Sequence, residues 1–250
     1  MFEPLFLRLG AWLLSPKVRY SRSGYRLRAL MQPAHGEDVI DAAVMLLAVN
    51  GVRGDVAEFG VFEGRSLLHL WHAHRWVEHL IVDGVVPILA GADPSCLRRV
   101  LYGFDSFEGL PEPTEVLDGQ PDWMGRGSFA AGEAGVRAEL RRNGVPDQSA
   151  VLVPGWFDDS LTAEQGPEQV ALAHIDCDLY ESTAVALQWL APRLVDGAIL
   201  IFDDWWLYRG RPDRGEQRAF AEFRAAHPEL AFVELLRSTT VSFLVHRNDG

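Results

Sequence analysis

Residues 171–194 read ALAHIDCDLYESTAVALQWLAPRL, and the predicted fold follows from them. The stretch opens with an apolar run typical of a buried strand and meets charge abruptly at Asp176 and Asp178. The sequence Glu-Ser-Thr then supplies residues that favour a helix start. An amphipathic helix is predicted by apolar residues at helical spacing, namely Ala184, Leu187, Leu190 and Leu194. The stretch therefore predicts a strand and a helix with carboxylates between them.

Two further stretches repeat this pattern. Residues 197–206, GAILIFDDWW, predict a strand that ends in Asp203 and Asp204. Residues 56–64, VAEFGVFEG, predict a strand followed by a glycine-rich turn. In an open α/β sheet, ligands bind at the carboxyl ends of the strands. We therefore expect the three strand ends to meet in one pocket.

The order of elements predicts the fold class. Strands are predicted at 56–61, 100–104, 150–153, 171–175 and 197–202, alternating with helices, and an antiparallel pair closes the chain at 231–236 and 240–246. This order is typical of a doubly wound, Rossmann-like α/β sheet, mostly parallel with an antiparallel C-terminal addition and helices on both faces. Residues 1–50 are predicted to form a helical cap or oligomerisation segment, and 51–250 the main domain. We interpret 76–99 as an insertion, and the Gly- and Pro-rich stretch 108–132 as a long loop that covers the pocket.

Composition excludes some classes of partner. The chain has 250 residues, 48% hydrophobic, with a formal net charge of −12. Such acidity argues against nucleic acid or an anionic membrane as a partner, because phosphate binding needs a basic surface. The apolar stretch 2–16 is interrupted by charge and too short to span a bilayer, so we expect no stable membrane insertion. It favours instead an amphipathic helix that packs on the body or on a second subunit, which predicts a homo-oligomer, most simply a dimer. The two cysteines are far apart and form no disulfide or metal pattern, so a cytoplasmic location is expected.

The first strand-to-helix turn bears on the cofactor. Glu58, Gly60 and Gly64 form the pattern E-x-G-x-x-x-G, which lacks the third glycine of the dinucleotide fingerprint. A glutamate at this turn would repel a pyrophosphate but attract a cation, such as the sulfonium and ammonium groups of S-adenosylmethionine. Asp105, followed by Ser106, ends the second predicted strand, where α/β folds hold a ribose diol. The pattern also fits a tight turn packed on a helix. The third strand end could border an adenine through Gly155 and Trp156.

Five blocks carry a resemblance to a known family. VAEFGVFEGRS, YGFDSFEGLP, VLVPGWFDDSL, HIDCDLYEST and FDDW follow one another across about 54–223, and in this order the chain resembles the macrocin O-methyltransferase family. The resemblance implies a class I methyltransferase sheet, S-adenosylmethionine as methyl donor, and a magnesium ion on Asp176, Asp203 and Asp204, a layout also similar to catechol O-methyltransferase. It leaves the insertion at 76–99 and the N-terminal segment without a counterpart.

The chemistry of the three carboxylates agrees with that expectation. Converging carboxylates are costly unless a cation neutralises them, and oxygen-only ligands select a hard cation such as Mg²⁺. A metal-bound acceptor hydroxyl has a lower pKa, and Asp178 or a nearby histidine could accept its proton. Without a metal, the base would be Asp176 or Asp178. Asp178 could instead cap the following helix, and His174 is predicted to be a core residue.

We therefore predict a methyltransferase that depends on S-adenosylmethionine and Mg²⁺ and acts on a hydroxyl of a small molecule, either a sugar or another natural-product intermediate. Two alternatives remain open at this stage. One is a catalytically inactive, methyltransferase-like binding module. The other is a nicotinamide-dependent oxidoreductase on a similar sheet, which the missing third glycine disfavours.

Overall fold

The sheet has seven strands in the described part of the chain. The structure is a computed structural model that describes residues 39–84, 86–112 and 123–248. The strand order is β3-β2-β1-β4-β5-β7-β6. The strands are β1 (Asp55–Phe59), β2 (Leu101–Asp105), β3 (Ala150–Pro154), β4 (Val170–Ile175), β5 (Leu194–Phe202), β6 (Leu230–Arg237) and β7 (Val241–Arg247). Strands β1 to β5 are parallel, while β7 runs antiparallel to both β5 and β6. The predicted fold class is confirmed.

Helices cover both faces of this sheet. They are α1 (Val39–Val49), α2 (Arg65–Val82), α3 (Glu133–Arg142), α4 (Phe157–Ser160), α5 (Tyr180–Leu190), α6 (Leu207–Gly210) and α7 (Gly215–Ala226). On one face, buried residues of α1 and α2 such as Leu47 and Leu70 pack together with side chains of β1 and β2. On the other, Leu187 of α5 and Phe220 of α7 pack against β4 and β5. The central strand β4 is covered on both sides and is buried along its whole length.

The register of the central strands places three strand ends side by side. Phe59 is the last residue of β1 and pairs with Ile175, the last residue of β4. Ile175 in turn pairs with Phe202, the last residue of β5. The residues that follow these three positions therefore leave the sheet at one edge. This is the edge at which the sequence predicted a pocket.

Two sequence predictions about element boundaries were wrong. Helix α2 continues to Val82, so the first part of 76–99 extends that helix, and two 3₁₀ turns, Pro87–Leu89 and Pro94–Leu97, precede β2. Leu194 begins β5 and does not belong to the preceding helix. Pro192 explains the second difference, because proline has no backbone N–H to continue the helical hydrogen bonding.

The long loop between β2 and α3 is tied together at its base. The backbone N–H of Leu110 donates to Ser128 at 2.8 Å, and the N–H of Gly127 donates to Leu110 at 2.9 Å. Gly109 allows this approach, since a Cβ there would lie 2.5 Å from the carbonyl oxygen of Ser128. The described parts of 108–132 contain no helix or strand. The predicted loop thus returns on itself above the sheet edge.

The structure describes only part of the predicted N-terminal segment 1–50. Helix α1 packs in the same core as the sheet through buried residues including Ala43 and Val44. Residues 1–38, which carry the predicted amphipathic stretch, lie outside the described residues. Among the described helices, none combines the length and apolar character needed to cross a membrane.

Candidate active site

A cavity of about 650 Å³ opens at the carboxyl ends of the strands. Its volume is within the range of small-molecule and cofactor sites. The loops after β1, β2, β3, β4 and β5 and the described parts of 108–132 all contribute to its lining. The predicted site residues that line it are Gly60, Asp105, Ser106, Trp156, Asp176, Asp178, Asp203 and Asp204.

Three aspartates meet at one side of this cavity. Asp176 follows β4, and its N–H donates to the carbonyl of Phe59 at 2.9 Å. Asp203 follows β5, and its N–H donates to the carbonyl of Ile175 at 3.0 Å. Together with Asp204, they offer carboxylate oxygens that all lie within 4.8 Å of one another. Oxygens bound on opposite sides of a Mg²⁺ ion are about 4.2 Å apart, so this set fits one hard cation after small side-chain movements.

The cluster is electrostatically costly as it stands. Burial, and then the neighbouring Asp203 carboxylate, raise the pKa of Asp176 well above its usual range. Burial, and then the charges of Asp178 and Asp176, raise the pKa of Asp204 in the same way. Like charges in a partly dry site disfavour one another's ionised form. A bound cation would remove this cost.

Asp178 sits in a strained backbone position beside the cluster. Its φ of 59° is in the left-handed region, and its N–H donates to the Asp204 carboxylate at 2.9 Å. Non-glycine residues hold such a conformation at a cost of about 1–3 kcal/mol, usually near functional sites. Burial and then the Asp203 charge raise the pKa of Asp178 to about 6. The predicted capping role is not observed, because the N-cap residue of α5 is Leu179 and the helix has no side-chain cap.

Gly60 is required by a contact inside the protein. A Cβ at this residue would lie 1.8 Å from the carbonyl oxygen of Asp176. Its φ of 88° is also one that other residues rarely adopt. The glycine therefore lets β1 and β4 leave the sheet close together, which positions Asp176, while the residue itself also lines the cavity.

Asp105 organises the turn that follows β1. One carboxylate oxygen accepts the N–H groups of Val61 and Phe62 at 2.7 and 2.9 Å, and the other accepts that of Phe107 at 2.6 Å. Ser106 donates its hydroxyl to the carbonyl of Gly109 at 2.9 Å. Because a carboxylate oxygen has two lone pairs, Asp105 keeps acceptor capacity toward the cavity.

Three predicted cofactor residues are not brought to the cavity. Glu58 is 0% exposed, lies within β1 and bonds to His174. Gly64 precedes α2 in left-handed conformation, and a Cβ there would lie 2.9 Å from Val136. Gly155 holds a φ of 136° and donates its N–H to the carbonyl of Asp105 at 2.9 Å. All three shape the elements around the cavity. None of them is among the described residues that line it, so their contact with a cofactor stays a prediction.

His174 is a site residue whose connections the sequence analysis missed. It is buried, as predicted for a core residue, but Nδ1 lies 3.0 Å from Oε1 of Glu58 and Nε2 lies 4.0 Å from Oδ1 of Asp203. Burial by itself lowers the pKa of His174, but the hydrogen bond and charge of Glu58, with the charges of Asp176 and Asp203, raise it to about 9. The histidine thus places a buried positive charge beneath the carboxylates. The sequence did contain one signal of this contact. His174 lies two residues before Asp176, and residues two apart in a strand lie on the same side of the chain.

Glu216 is a second residue that the sequence analysis missed. It lies in the first turn of α7, is buried, and neither carboxylate oxygen has a hydrogen-bond partner among the described residues. Burial, and then the charge of Asp204, raise its pKa well above the usual range. Its sequence context, R-G-E-Q, resembles an ordinary helix start and gave no signal of this burial.

Sequence comparison assigns the chain that builds this site to a known family. The family model of macrocin-O-methyltransferase (TylF) matches residues 31–241. The chain belongs to this family. The matched range includes all the strand ends that build the cavity, and the predicted resemblance is confirmed.

Individual relatives agree with this assignment. The chain is 33% identical over 188 residues to the 8-demethyl-8-(2,3-dimethoxy-alpha-L-rhamnosyl)-tetracenomycin-C 4'-O-methyltransferase of Streptomyces olivaceus, a match that covers 70% of this chain and 65% of the relative. It is 27% identical over 162 residues to the mycinamicin III 3''-O-methyltransferase of Micromonospora griseorubida, which covers 62% of this chain and 57% of the relative. The chain therefore spans less than two thirds of the length of these relatives.

A solved structure shares the fold. The O-methyltransferase NovP superposes with a TM-score of 0.61 at 24% identity, and the match covers 93% of this chain and 89% of NovP. At this identity the likeness concerns the fold alone. It agrees with the strand order described above.

Proposed function

We propose that this chain transfers a methyl group from S-adenosylmethionine to a hydroxyl oxygen of a sugar on a small natural product, with Mg²⁺ as metal cofactor. The observation that carries the proposal is the meeting of Asp176, Asp203 and Asp204 at one side of a ligand-sized cavity. Family membership supports the reaction class. The relatives named above are O-methyltransferases, and the name of the Streptomyces olivaceus relative includes a rhamnosyl group.

The methyl donor would occupy the part of the cavity that lies over β1, β2 and β3. Asp105 would accept the ribose hydroxyls, with Ser106 beside it, while Trp156 would border the adenine. Gly60 would leave room for the amino acid end of the donor. Aspartate and glutamate are the only charged residue types among the described residues lining the cavity, which suits a sulfonium cation. The negative charge of the lining supports this placement of the donor.

The metal would be held by Asp176, Asp203 and Asp204. These are oxygen ligands on neighbouring strand ends, the kind of ligand set that a hard divalent cation prefers. When bound, the cation supplies Lewis-acid activation that lowers the pKa of an acceptor hydroxyl. His174 and Glu58 would hold Asp203 from below, as outer-shell partners commonly orient metal ligands.

Asp178 would receive the proton of the acceptor hydroxyl. It lines the cavity, and its backbone is fixed by the bond to Asp204, so its carboxylate is held beside the metal-binding aspartates. In the reaction, the bond between methyl carbon and sulfur breaks as the bond between methyl carbon and acceptor oxygen forms. The hydroxyl proton passes to Asp178, and S-adenosylhomocysteine leaves. Asp176 would take the same role if no metal were bound.

The segment before α1 would close the site or join two subunits. This role remains a proposal from the amphipathic pattern of residues 2–16. The sequence boundary between 1–50 and 51–250 is likewise proposed on composition alone. A dimer would be checked by sedimentation of the full chain and of a variant that begins at residue 39.

Two measurements test the proposed function. A thermal shift series with S-adenosylmethionine, NADH and MgCl₂ should show stabilisation by the first and third and none by NADH. Transfer of a labelled methyl group to a glycoside should cease in EDTA and return with Mg²⁺. Full turnover in EDTA would remove the metal from the proposal. Stabilisation by S-adenosylmethionine without transfer to any hydroxyl acceptor would favour an inactive binding module instead.

A further inference from the structure

The carboxyl group of Glu216 is buried near the acidic strand ends without a hydrogen-bond partner. The residue is 1% exposed, and neither Oε1 nor Oε2 has a partner among the described residues. Glu216 is not among the described residues that line the cavity, and it does not belong to the three aspartates whose oxygens lie within 4.8 Å of one another. Buried polar groups are nearly always hydrogen-bonded, because an unpaired one costs stability. The position of this carboxyl group therefore needs a reason beyond packing.

An ordinary role at the start of a helix does not supply that reason. Glu216 lies in the first turn of α7, where a carboxylate interacts favourably with the helix dipole. That interaction is weak compared with the cost of burying an unpaired carboxyl group. A capping role is also absent, since no side chain caps α7.

Two contacts hold the start of α7 against the segment that follows β5. The side chain of Gln217 donates from Nε2 to the carbonyl of Trp205 at 2.7 Å. A Cβ at Gly215 would lie 2.9 Å from the ring of Tyr208, so the backbone passes directly over that ring. These contacts are made by the residues on either side of Glu216. They keep the glutamate close to the two aspartates at the end of β5.

The electrostatic neighbours of Glu216 are the aspartates at the strand ends. Burial raises its pKa well above the usual range, and the charges of all four aspartates add to this effect, that of Asp204 most strongly. The charge of Glu216 is in turn the largest cause, after burial, of the raised pKa of Cys177, which lies between Asp176 and Asp178. The carboxyl group of Glu216 is therefore directed into the aspartate cluster from within the protein.

We infer that Glu216 is a positioning residue of the metal site, which strengthens the binding of a divalent cation at Asp176, Asp203 and Asp204 without being a ligand itself. This inference rests on the proposed function, which names the cation. The negative charge of Glu216 adds to the attraction for a cation, and its two free oxygens can accept hydrogen bonds from the water molecules that Mg²⁺ usually retains. In the metal-free protein the same charge only repels the aspartates. Cation binding thus offsets the cost of burying Glu216.

The test compares the cation affinity of the full chain with that of two variants at residue 216. Binding of Mg²⁺ is measured by titration calorimetry, and binding of Mn²⁺ by electron paramagnetic resonance, both at pH 8 without acceptor or methyl donor. Glu216→Gln removes the charge at nearly constant shape and should raise the Kd of both cations at least about tenfold, the usual size of an outer-shell effect. Glu216→Met has a side chain of similar length without hydrogen-bonding oxygens and should give the same rise. It decides the test if the glutamine variant does not fold.

Glu168→Gln is the matched control for net charge. Glu168 is exposed and lies before the amino end of β4, at the end of the strand opposite Asp176. The control removes the same charge from the protein, so it separates a local effect from that of overall charge. Its Kd for both cations should stay within twofold of the wild-type value.

Melting temperatures distinguish this role from a structural one. In EDTA at pH 8, Glu216→Gln should melt at or above the wild-type temperature, because a buried repulsive charge is removed. Added MgCl₂ should then raise the melting temperature of the wild type more than that of the variant. A structural role predicts the reverse, namely a lower melting temperature in EDTA and an unchanged Kd.

Two outcomes would overturn the inference alone. They are Kd values that rise by no more than twofold in both variants at residue 216, and an equally large rise in Glu168→Gln. The proposed function is judged by the wild type, whose cation binding is measured in the same experiment. A wild type that binds neither cation would contradict the metal in the proposed function, and the inference with it. Wild-type binding with unchanged variants would leave the proposed metal in place and remove only the role of Glu216.

Discussion

The imidazole of His174 bridges Glu58 on the adjacent strand and Asp203 at the edge of the cavity. Nδ1 lies 3.0 Å from the Glu58 carboxylate and Nε2 lies 4.0 Å from that of Asp203. The strand register explains the contact, because Glu58 and His174 are direct partners in the pairing of β1 with β4. A buried ion pair thus supports the carboxylate cluster from within the sheet.

This relationship predicts how stability depends on pH. The pKa of His174 is raised from 6.5 to about 9, so its contribution is fully present below about pH 6.5 and is lost as pH rises through 9. A shift of this size corresponds to roughly 3 kcal/mol. The raised pKa values of Asp176 and Asp204 act in the same direction. Urea unfolding in EDTA should therefore show a free energy of unfolding that falls from pH 6 to pH 9.

The Glu58 partner provides the control for that prediction. Glu58→Gln should destabilise the protein at pH 7 by about 3–5 kcal/mol, because it leaves a buried charge without its counter-charge. The double variant Glu58→Gln, His174→Gln should recover part of this loss and show a flatter pH profile. Identical pH profiles for the wild type and the double variant would contradict the assignment of the slope to this pair.

Asp203→Asn should separate metal binding from folding. Without metal, its melting temperature in EDTA should equal or exceed that of the wild type, since repulsion with Asp176 and Asp178 is relieved. Loss of an outer-shell partner of a metal lowers metal affinity or activity by about 10–100-fold. Asp203 is proposed as a direct ligand, so methyl transfer should fall by at least about 100-fold. MgCl₂ should raise the melting temperature of the wild type and have little effect on the variant. Asp159→Asn, the same change at an exposed residue outside the cavity lining, should behave as the wild type.

Asp105→Ala should weaken cofactor binding. Loss of the carboxylate removes the predicted ribose contact and the anchor for the N–H groups of Val61, Phe62 and Phe107. We expect at least a tenfold rise in the Kd for S-adenosylhomocysteine by titration calorimetry, about 1.4 kcal/mol. Asp83→Ala, at an exposed aspartate after α2, is the control. An unchanged Kd would remove Asp105 from the cofactor site.

Gly60→Ala should disrupt the strand ends far more than an ordinary glycine replacement. A Cβ at Gly60 would lie 1.8 Å from the Asp176 carbonyl oxygen. Gly91 provides a matched comparison, because its φ of 86° is close to the 88° of Gly60 and a Cβ there would meet nothing within 4 Å. Gly91→Ala should cost about 1–2 kcal/mol for the left-handed conformation alone. If chemical unfolding shows equal losses in the free energy of unfolding for the two variants, the chain relaxes around residue 60.

Glu216→Gln should stabilise the protein at alkaline pH. The carboxylate is buried without a hydrogen-bond partner among the described residues, and burial followed by the Asp204 charge raises its pKa well above the usual range. The cost of ionising it therefore grows as pH rises. The variant should melt above the wild type at pH 8, with a smaller difference at pH 5, because the raised pKa favours the neutral wild-type carboxyl as pH falls. A difference that does not change with pH would attribute the effect to packing.

The amino-acid sequence by itself determined the order of strands and helices and the presence of acidic strand ends. Apolar runs that stop at Asp176 and Asp203 are local patterns, and parallel strands in a doubly wound sheet bring their carboxyl ends to one edge. The neighbouring positions of Asp176, Asp203 and Asp204 could therefore be predicted without coordinates. Their roles in binding and catalysis stay predictions.

The tertiary structure alone decided which residues stand behind that edge. The bond between Glu58 and His174 joins residues 116 positions apart, and strand register, which the sequence did not reveal, turned Glu58 toward the histidine instead of the ligand. Gly60 was expected to admit a cofactor, yet the nearest atom to its missing side chain belongs to Asp176. The burial of Glu216 likewise depends on the packing of α7. Local patterns report the preferences of single segments, whereas burial and pairing arise only when distant segments share one interior.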